Sequence, residues 1–348
     1  MKKKFRVLIS VGSCIFALAL MGFGATYFTF LHRYKGKVIV NNWNESDTFD
    51  INEIKTLSKQ KDKDFVILNF ADIQICDLED MFTRYKLHNY LDKLVDTYKP
   101  DLITLSGDQT WSNENLLSLK SIINWLDGYK IPYAPVFGNH DYGNEYNSAV
   151  AGLNYCCDSY EGGKYSLFNR GPTNIGSLGN YAINIKEEDK IISTLYMMDL
   201  GYNDKITEDQ KSWFKWTADG IKANNNNTYT NGIVITHKEL PECYDAYRHY
   251  LLDNSIAEGD VIVHMGFADV ENTGFVDLAK SCGVYDFMFG HEHYNNFTIH
   301  HENARYTFMV KTGEFFDTYQ DETVHLCGAT TITLSSDEVN IQHHYIEP

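Results

Sequence analysis

Tyr133-Ala134-Pro135-Val136-Phe137-Gly138-Asn139-His140-Asp141 is a short apolar run that stops at a glycine and three side chains able to bind metal or move protons. An apolar run of this length, bounded by a turn signal, reads as a strand buried on both faces. The same pattern recurs along the chain. Phe65 to Phe70 leads into Ala71-Asp72-Ile73-Gln74, and Leu102 to Leu105 into Ser106-Gly107-Asp108. Gly232 to Thr236 leads into His237, and Tyr285 to Phe289 into Gly290-His291-Glu292-His293. In α/β sheets, groups just beyond the carboxyl ends of strands converge on one crevice, so residues remote in sequence meet there. Glycines 107, 138 and 290 let the backbone turn sharply at those ends.

Between the early strands, Leu78 to Tyr98 and Asn115 to Leu126 carry Phe82, Tyr85, Tyr90, Leu94, Ile122, Ile123 and Trp125 near a helical period. Strand alternating with helix predicts an α/β fold. Ile191 to Met198 is a further buried strand. Asn296 to His301, Arg305 to Val310, Thr323 to Leu334 and Val339 to Ile346 follow without long helices and read as an antiparallel edge closing a sheet. Asn224 to Asn227 reads as an exposed loop after a Thr207 to Lys222 helix. No internal repeat or second domain is visible, so residues 63–348 are expected to form one catalytic domain.

The chain has 348 residues, 43% of them hydrophobic, and a formal charge of −17. That balance argues against nucleic acid as a partner, which needs clustered Lys and Arg. An anionic substrate would need a local positive charge, which metal ions provide. Lys2, Lys3, Lys4 and Arg6 precede Val7 to Leu31, a run without a charged residue that matches the ~20 residues a spanning helix needs. Residues 1–37 therefore read as an N-terminal membrane anchor with the remainder outside the cytoplasm, at the cell membrane. His32, Arg33, Lys35 and Lys37 after the run weaken the charge asymmetry behind that orientation. A cleaved signal peptide ending near Gly24 and Ala25, and hence a secreted protein, is the alternative. A lipoprotein reading of Cys14 fits poorly, because the apolar run continues beyond it. Residues 38–62 read as a polar stalk. Cys76, Cys156, Cys157, Cys243, Cys282 and Cys327 contain no CxxC pair, and their pairing is open.

Carboxylate, imidazole and amide donors suit Zn, Mn or Fe and lack the thiolates of a structural zinc site. A carboxylate such as Asp108 can bridge two ions, and Asn139 offers a neutral oxygen that leaves charge to polarise phosphate. Taken in order, these blocks resemble the calcineurin-like metallophosphoesterase superfamily, whose pattern is DxH, GD, GNHD or GNHE, a lone His after a strand, and GHxH. The resemblance covers about Phe65 to Val310. The Gly232 to Glu242 run, followed by Gly290 to Phe297, is more specifically similar to the purple-acid-phosphatase-like branch.

The resemblance implies a four-layer α/β/β/α sandwich, two mixed sheets flanked by helices, with two divalent or trivalent metals at one sheet edge. It implies Asp72, Asp108 and His293 on one metal, and Asp108, Asn139, His237 and His291 on the other. His140 would contact phosphate and assist the leaving group, with Asp141 orienting it. The implied chemistry is hydrolysis of small phosphorylated substrates, monoesters favoured and diesters possible, by a metal-bound hydroxide at a dinuclear site. Two positions depart from the pattern. Gln74 stands where the first block has His, and can be a metal ligand, a supporting donor or a relic. Trp111 stands where purple acid phosphatases have Tyr, so a tyrosinate colour is not expected. His264, at the end of Val261-Ile262-Val263, rivals His237 as the lone His. Asp199 reads as structural, while Trp111, Tyr142 and Tyr294 are candidates for pocket walls. His88, His249, His300, His301, His343 and His344 read as ordinary histidines. The alternative function is a catalytically silent phosphate-binding or sensor module on the same fold.

Overall fold

A computed structural model of the chain describes residues 13, 16–25, 36–76, 81–111, 116–141, 149–201, 204–264, 266–268, 270–313, 327–336 and 338–345. Its centre is a pair of mixed sheets. The smaller contains β2 (Phe65–Phe70), β3 (Leu102–Ser106), β4 (Tyr133–Val136), β12 (Gly328–Leu334) and β13 (Val339–Tyr345), in the order β13-β12-β2-β3-β4. β2, β3 and β4 run parallel, and β12 pairs antiparallel with β2 and β13. The larger sheet has the order β1-β5-β6-β7-β9-β11-β10-β8. Its strands are β1 (Lys55–Lys59), β5 (Tyr181–Glu187), β6 (Lys190–Met197), β7 (Asn231–Ile235), β8 (Ile262–Val263), β9 (Val284–Phe289), β10 (Asn295–His301) and β11 (Ala304–Phe308). β6, β7, β9 and β11 run parallel.

Side-chain alternation along the central strands builds the layers. In β7, Ile233 and Ile235 join the core between the sheets, while Val234 points to the outer core; in β9, Met288 points inward and Phe287 and Phe289 outward. The cluster that holds Ile233, Ile235 and Met288 continues to the helices that flank the smaller sheet, taking in Leu91 and Leu94 from α1 (Met81–Tyr98), Ile122 and Leu126 from α2 (Leu116–Tyr129), and Cys156 and Tyr160 from α3 (Ala149–Glu161). The outer core is closed by Trp213 and Phe214 of α4 (Glu208–Ala223), Cys243 of α5 (Pro241–Tyr250) and Phe275 of α6 (Phe275–Ser281). α4 starts with a capping box: the Thr207 hydroxyl accepts from the Gln210 amide, and the Gln210 side chain accepts from the Thr207 amide. Two mixed sheets flanked by helices is the architecture expected from the sequence.

Two expectations change. The late strands do not form one edge: β12 and β13 complete the smaller sheet, whereas β10 and β11 lie in the larger one. The stretch read as a stalk is docked on the domain. β1 pairs in parallel with β5, the Trp43 carbonyl accepts from the Asn174 carboxamide, and Trp43 and Phe49 pack edge-on against Trp216. Its alternating polar composition suits an edge strand with one face in water. Among the described residues no helix is long and apolar enough to cross a membrane. Most of the expected Val7 to Leu31 anchor lies outside the described residues, and residues 16–25 are helical. Cys14 and Tyr142 also lie outside them; no disulfide joins the six cysteines among the described residues.

Candidate metal centre

The carboxyl ends of β2, β3 and β4 in one sheet, and of β7 and β9 in the other, meet at one place. Two overlapping groups of donor atoms form there, Asp108 with His237 and His291, and Asp72 with Asp108 and His293. Within each group the donor atoms lie within 4.8 Å of one another, and Asp108 is common to both. Asn139 joins the first group, its Oδ1 standing 3.1 Å from His237 Nε2.

Local backbone geometry makes this approach possible. Asp72, Gln74, Asp108 and His291 all have positive φ, between 49° and 72°, which turns each chain sharply at its strand end. Non-glycine residues adopt this region at a cost, and such outliers gather at functional sites. The glycines are required for a second reason. A Cβ on Gly107 would fall 2.3 Å from His237 Nδ1, one on Gly138 2.1 Å from Asp108 Oδ1, and one on Gly290 2.8 Å from Asp72 Oδ2.

Backbone groups then aim the side chains. Asp108 Oδ1 accepts from the His140 amide at 2.8 Å, which leaves Oδ2 directed to the centre, 3.3 Å from His237 Nε2. The Asp72 carboxylate accepts from the His291 amide, and its Oδ1 lies 3.4 Å from His293 Nε2. His237 Nδ1 donates to the Ser106 carbonyl at 2.9 Å, so Nε2 carries the free lone pair inward. His291 Nδ1 approaches His237 Nε2 to 3.2 Å. Burial opposes charge on Asp108 and His237 alike, but each stabilises the other. Asp108 is held well below the carboxylate range, and His237 is raised to about 10. Burial, with the charge on His237 next, pushes His291 down to about 3. This cluster binds a positive charge tightly, and a metal ion can take the place of the proton.

The remaining predicted residues are placed as follows. Gln74 is buried, with its carboxamide 3.0 Å from His293 Nε2 and 3.5 Å from Asp108 Oδ2, inside the second group. Either end of a carboxamide can face such a site. The His140 imidazole is about one-third exposed, 3.8 Å from Asp108 Oδ2, and stacked on Trp111 with centroids 4.1 Å apart. Asp141, expected to orient that ring, instead accepts from the Thr110 amide and hydroxyl and from the Gly138 amide. It braces the turn that carries Asn139 and His140. His264 is exposed, its amide held by the Asn295 carboxamide, and it joins neither group. Tyr294 is buried beside Lys311, and Asp199 is buried where its carbonyl accepts from Gln210 and Ser177. Sequence reasoning missed Thr110, Ser106 acting through its carbonyl, Glu239, which accepts from the Ala268 amide, and Asn295. The last two follow ligand motifs by two residues, a position that carries no signal of its own.

The residues present fit a pair of transition-metal ions, since hard and borderline donors converge without a thiolate. Two mixed sheets meeting at such a cluster define an α/β protein with a candidate metal centre. Residues 65–295 match the family described as calcineurin-like phosphoesterase, and the chain belongs to that family. That membership supports a hydrolase at the general level. A comparison with curated protein sequences finds no match. Among solved structures, the chain is similar to GAP50, described as the anchor in the inner membrane complex of Plasmodium, at 12% identity, covering 82% of this chain and 90% of that one, with a TM-score of 0.42. It is similar to purple acid phosphatase PPD1 from yellow lupin seeds at 12% identity, covering 78% of this chain and 49% of that one, with a TM-score of 0.43. For TT1561 of Thermus thermophilus the values are 11%, 81% and 99%, with a TM-score of 0.40. These likenesses are distant and say nothing of ligand or partner here.

Proposed function

We propose that this chain is a metal-dependent phosphoesterase with a dinuclear centre, and that phosphomonoesters are its favoured substrates. The observation that supports this most is the membership of Asp108 in both ligand groups, which suits two ions held close together. One ion would be held by Asp72, Asp108, His293 and the carboxamide of Gln74. The other would be held by Asp108, Asn139, His237 and His291. When bound, ions such as Mn, Zn or Fe supply positive charge to the phosphoryl oxygens and make water a stronger nucleophile. The protein's own residues orient and exclude. Ser106 fixes the tautomer of His237, Asp141 braces the Gly138 turn, and His140 stands at the exposed side, where its Nε2 can pass a proton to the departing ester oxygen. In the overall step a water oxygen bonds to phosphorus, the ester P–O bond breaks, and the departing oxygen takes the proton.

The test is hydrolysis of a chromogenic phosphomonoester and diester by the full chain loaded with Mn, Zn or Fe, with bound metal counted. Turnover that disappears in Asn139→Ala is the expected result. A fully loaded, folded protein that hydrolyses neither ester would sink the proposal. That outcome would favour a second reading, a silent phosphate-binding module, which is motivated by Gln74 standing where the family pattern has His. It predicts phosphate binding without turnover. We also retain the extracytoplasmic membrane location as a proposal, on the uncharged Val7 to Leu31 run. Recovery of the chain in a soluble fraction, with its N-terminus intact, would refute it.

A further inference from the structure

The N-terminal segment enters the domain beside the metal centre. The Arg170 guanidinium and the Asp158 carboxylate grip the Lys37 residue: Asp158 Oδ2 accepts from its amide at 2.7 Å, and Arg170 donates to its carbonyl at 3.1 Å. Arg170 is itself buried and locked by Asp158, Glu161 and Asn154. One residue earlier, Gly36 lies so close to α3 that a Cβ there would fall 2.5 Å from the backbone of Asn154 and Tyr155. From Lys37 back to Gly36, the chain thus moves one turn along α3, from Asp158 to Asn154, toward the helix N-terminus. At the same level, on another face of α3, the Cys156 thiol donates to the Asp141 carbonyl. Only the width of a helix, ~10 Å, separates the entering chain from the His140-Asp141 turn.

The same end of the molecule carries an apolar rim. α1 and α2 begin just after the Asp72 and Asp108 segments, and Arg84 ties their first turns together through Ser118 and Ser121. There Met81 is 87% exposed, Phe82 64% and Tyr85 63%; Trp111, 42% exposed, carries the rim inward to His140. Large apolar side chains gathered on one end mark a contact surface. The chain that enters at this end is preceded by an apolar helical stretch whose Phe16, Leu18, Leu20, Met21 and Phe23 are all exposed. An apolar segment and an apolar rim on one side of a domain match one occupant, the interface of a bilayer.

We infer that the end carrying the metal-ligand cluster is held against the membrane, and that the phosphate it acts on belongs to the headgroup of a membrane lipid. The substrate assignment rests on the phosphoesterase reading above, and the orientation rests on the membrane location proposed there. The Arg170 clamp fixes the place and direction in which Gly36 and Lys37 leave the domain, at the end that carries the ligand cluster.

The experiment uses the metal-loaded full chain reconstituted in phosphatidylcholine vesicles containing phosphatidic acid. Tryptophan is introduced in two exposed places: Phe82→Trp on the rim, and Leu252→Trp beyond the far end of α5. Brominated lipid is expected to quench the fluorescence gained at position 82 and not that gained at 252. Equal quenching of both, quenching of neither, or failure of the chain to partition into vesicles overturns the orientation. Phosphate release from phosphatidic acid is expected to fall about tenfold in Met81→Ser/Phe82→Ser/Tyr85→Ser, while a soluble chromogenic monoester is turned over unchanged. Turnover of the soluble ester with phosphatidic acid untouched overturns the lipid assignment and leaves the phosphoesterase reading standing. Absence of both activities in the metal-loaded chain without substitutions, with Phe82→Trp still quenched, overturns the phosphoesterase reading and the lipid assignment together, and leaves the orientation standing.

Discussion

The two sheets bring different chemistry to the same point. The five-stranded sheet delivers oxygen donors, Asp72, Asp108 and Asn139, two of them anionic. The eight-stranded sheet delivers nitrogen donors, His237, His291 and His293. Neither half holds a complete ligand group, since each group combines donors from both. The contact between halves is reciprocal: Gly107 of the smaller sheet lies against His237, and Gly290 of the larger against Asp72. The centre therefore reports how well the two sheets are seated on one another. A change that shifts the sheets apart by a fraction of an ångström should damage both ion sites together.

The largest effect should come from the residue both groups share. Asp108→Asn is expected to lower bound metal below one ion per chain and turnover by about 1000-fold or more, read by metal analysis and ester hydrolysis. If full metal content survives, the shared-carboxylate picture fails. Gly107→Ala should come next, because its methyl would occupy the His237 ring position and its φ of +100° strains any side chain. We expect about 100-fold lower turnover and about 3 kcal/mol lower stability by denaturant titration.

A third test probes the sheet contact away from the centre. His343 of β13 lies near the Thr298 hydroxyl of β10 at 3.3 Å and the Thr330 hydroxyl of β12 at 3.1 Å, bridging the sheets. Burial pushes its pKa down to about 4; the neighbouring His344 also lowers it, and Glu258 opposes. The folded state therefore binds fewer protons than the unfolded chain between about pH 6.5 and pH 4. Stability from this group is present above that window and is lost as pH falls through it, by about 2 kcal/mol after allowance for partial exposure. His343→Gln should flatten this part of the stability profile, and an unchanged slope would assign it to another group. The smallest expected effect is a gain. Gln74→His should tighten metal at the Asp72–His293 group about tenfold, measured by competition with a chelator. No change would show that the Gln74 side chain is not a ligand.

The difference between the sheets also explains what could be read from sequence. β2, β3, β4, β7 and β9 are mostly buried and mostly apolar, with few polar residues such as Asn69, Thr104 and Asp286, and the ligand motifs at their ends stand out. β1, with Lys55, Thr56, Ser58 and Lys59, and β5, which contains Asn184 and Lys186, are peripheral strands whose polar residues blur the signal. α3, Ala149–Glu161, is not identified from the sequence; it carries the small residues Ala149, Ala151 and Gly152 in its first turn. Within the centre, residue types were legible but partnerships were not. Asp141 sits beside His140 in sequence, yet its carboxylate turns to Thr110, a contact made across two loops. His264 and His237 end similar apolar runs; the Lys238 to Glu242 context favours His237 in the sequence, and the path of the chain puts it among the other donors.

The pairing of β12 with β2 also has a consequence for synthesis. Thr330 sits opposite Asn69, so β12 is laid beside a strand made some 260 residues earlier, 330 minus 69. Until then, that edge of β2 lacks its native neighbour, for on the order of ten seconds or more at ordinary elongation rates. During that interval the apolar β2 strand offers an open edge to other chains, and the β12–β13 hairpin acts as its closing seal.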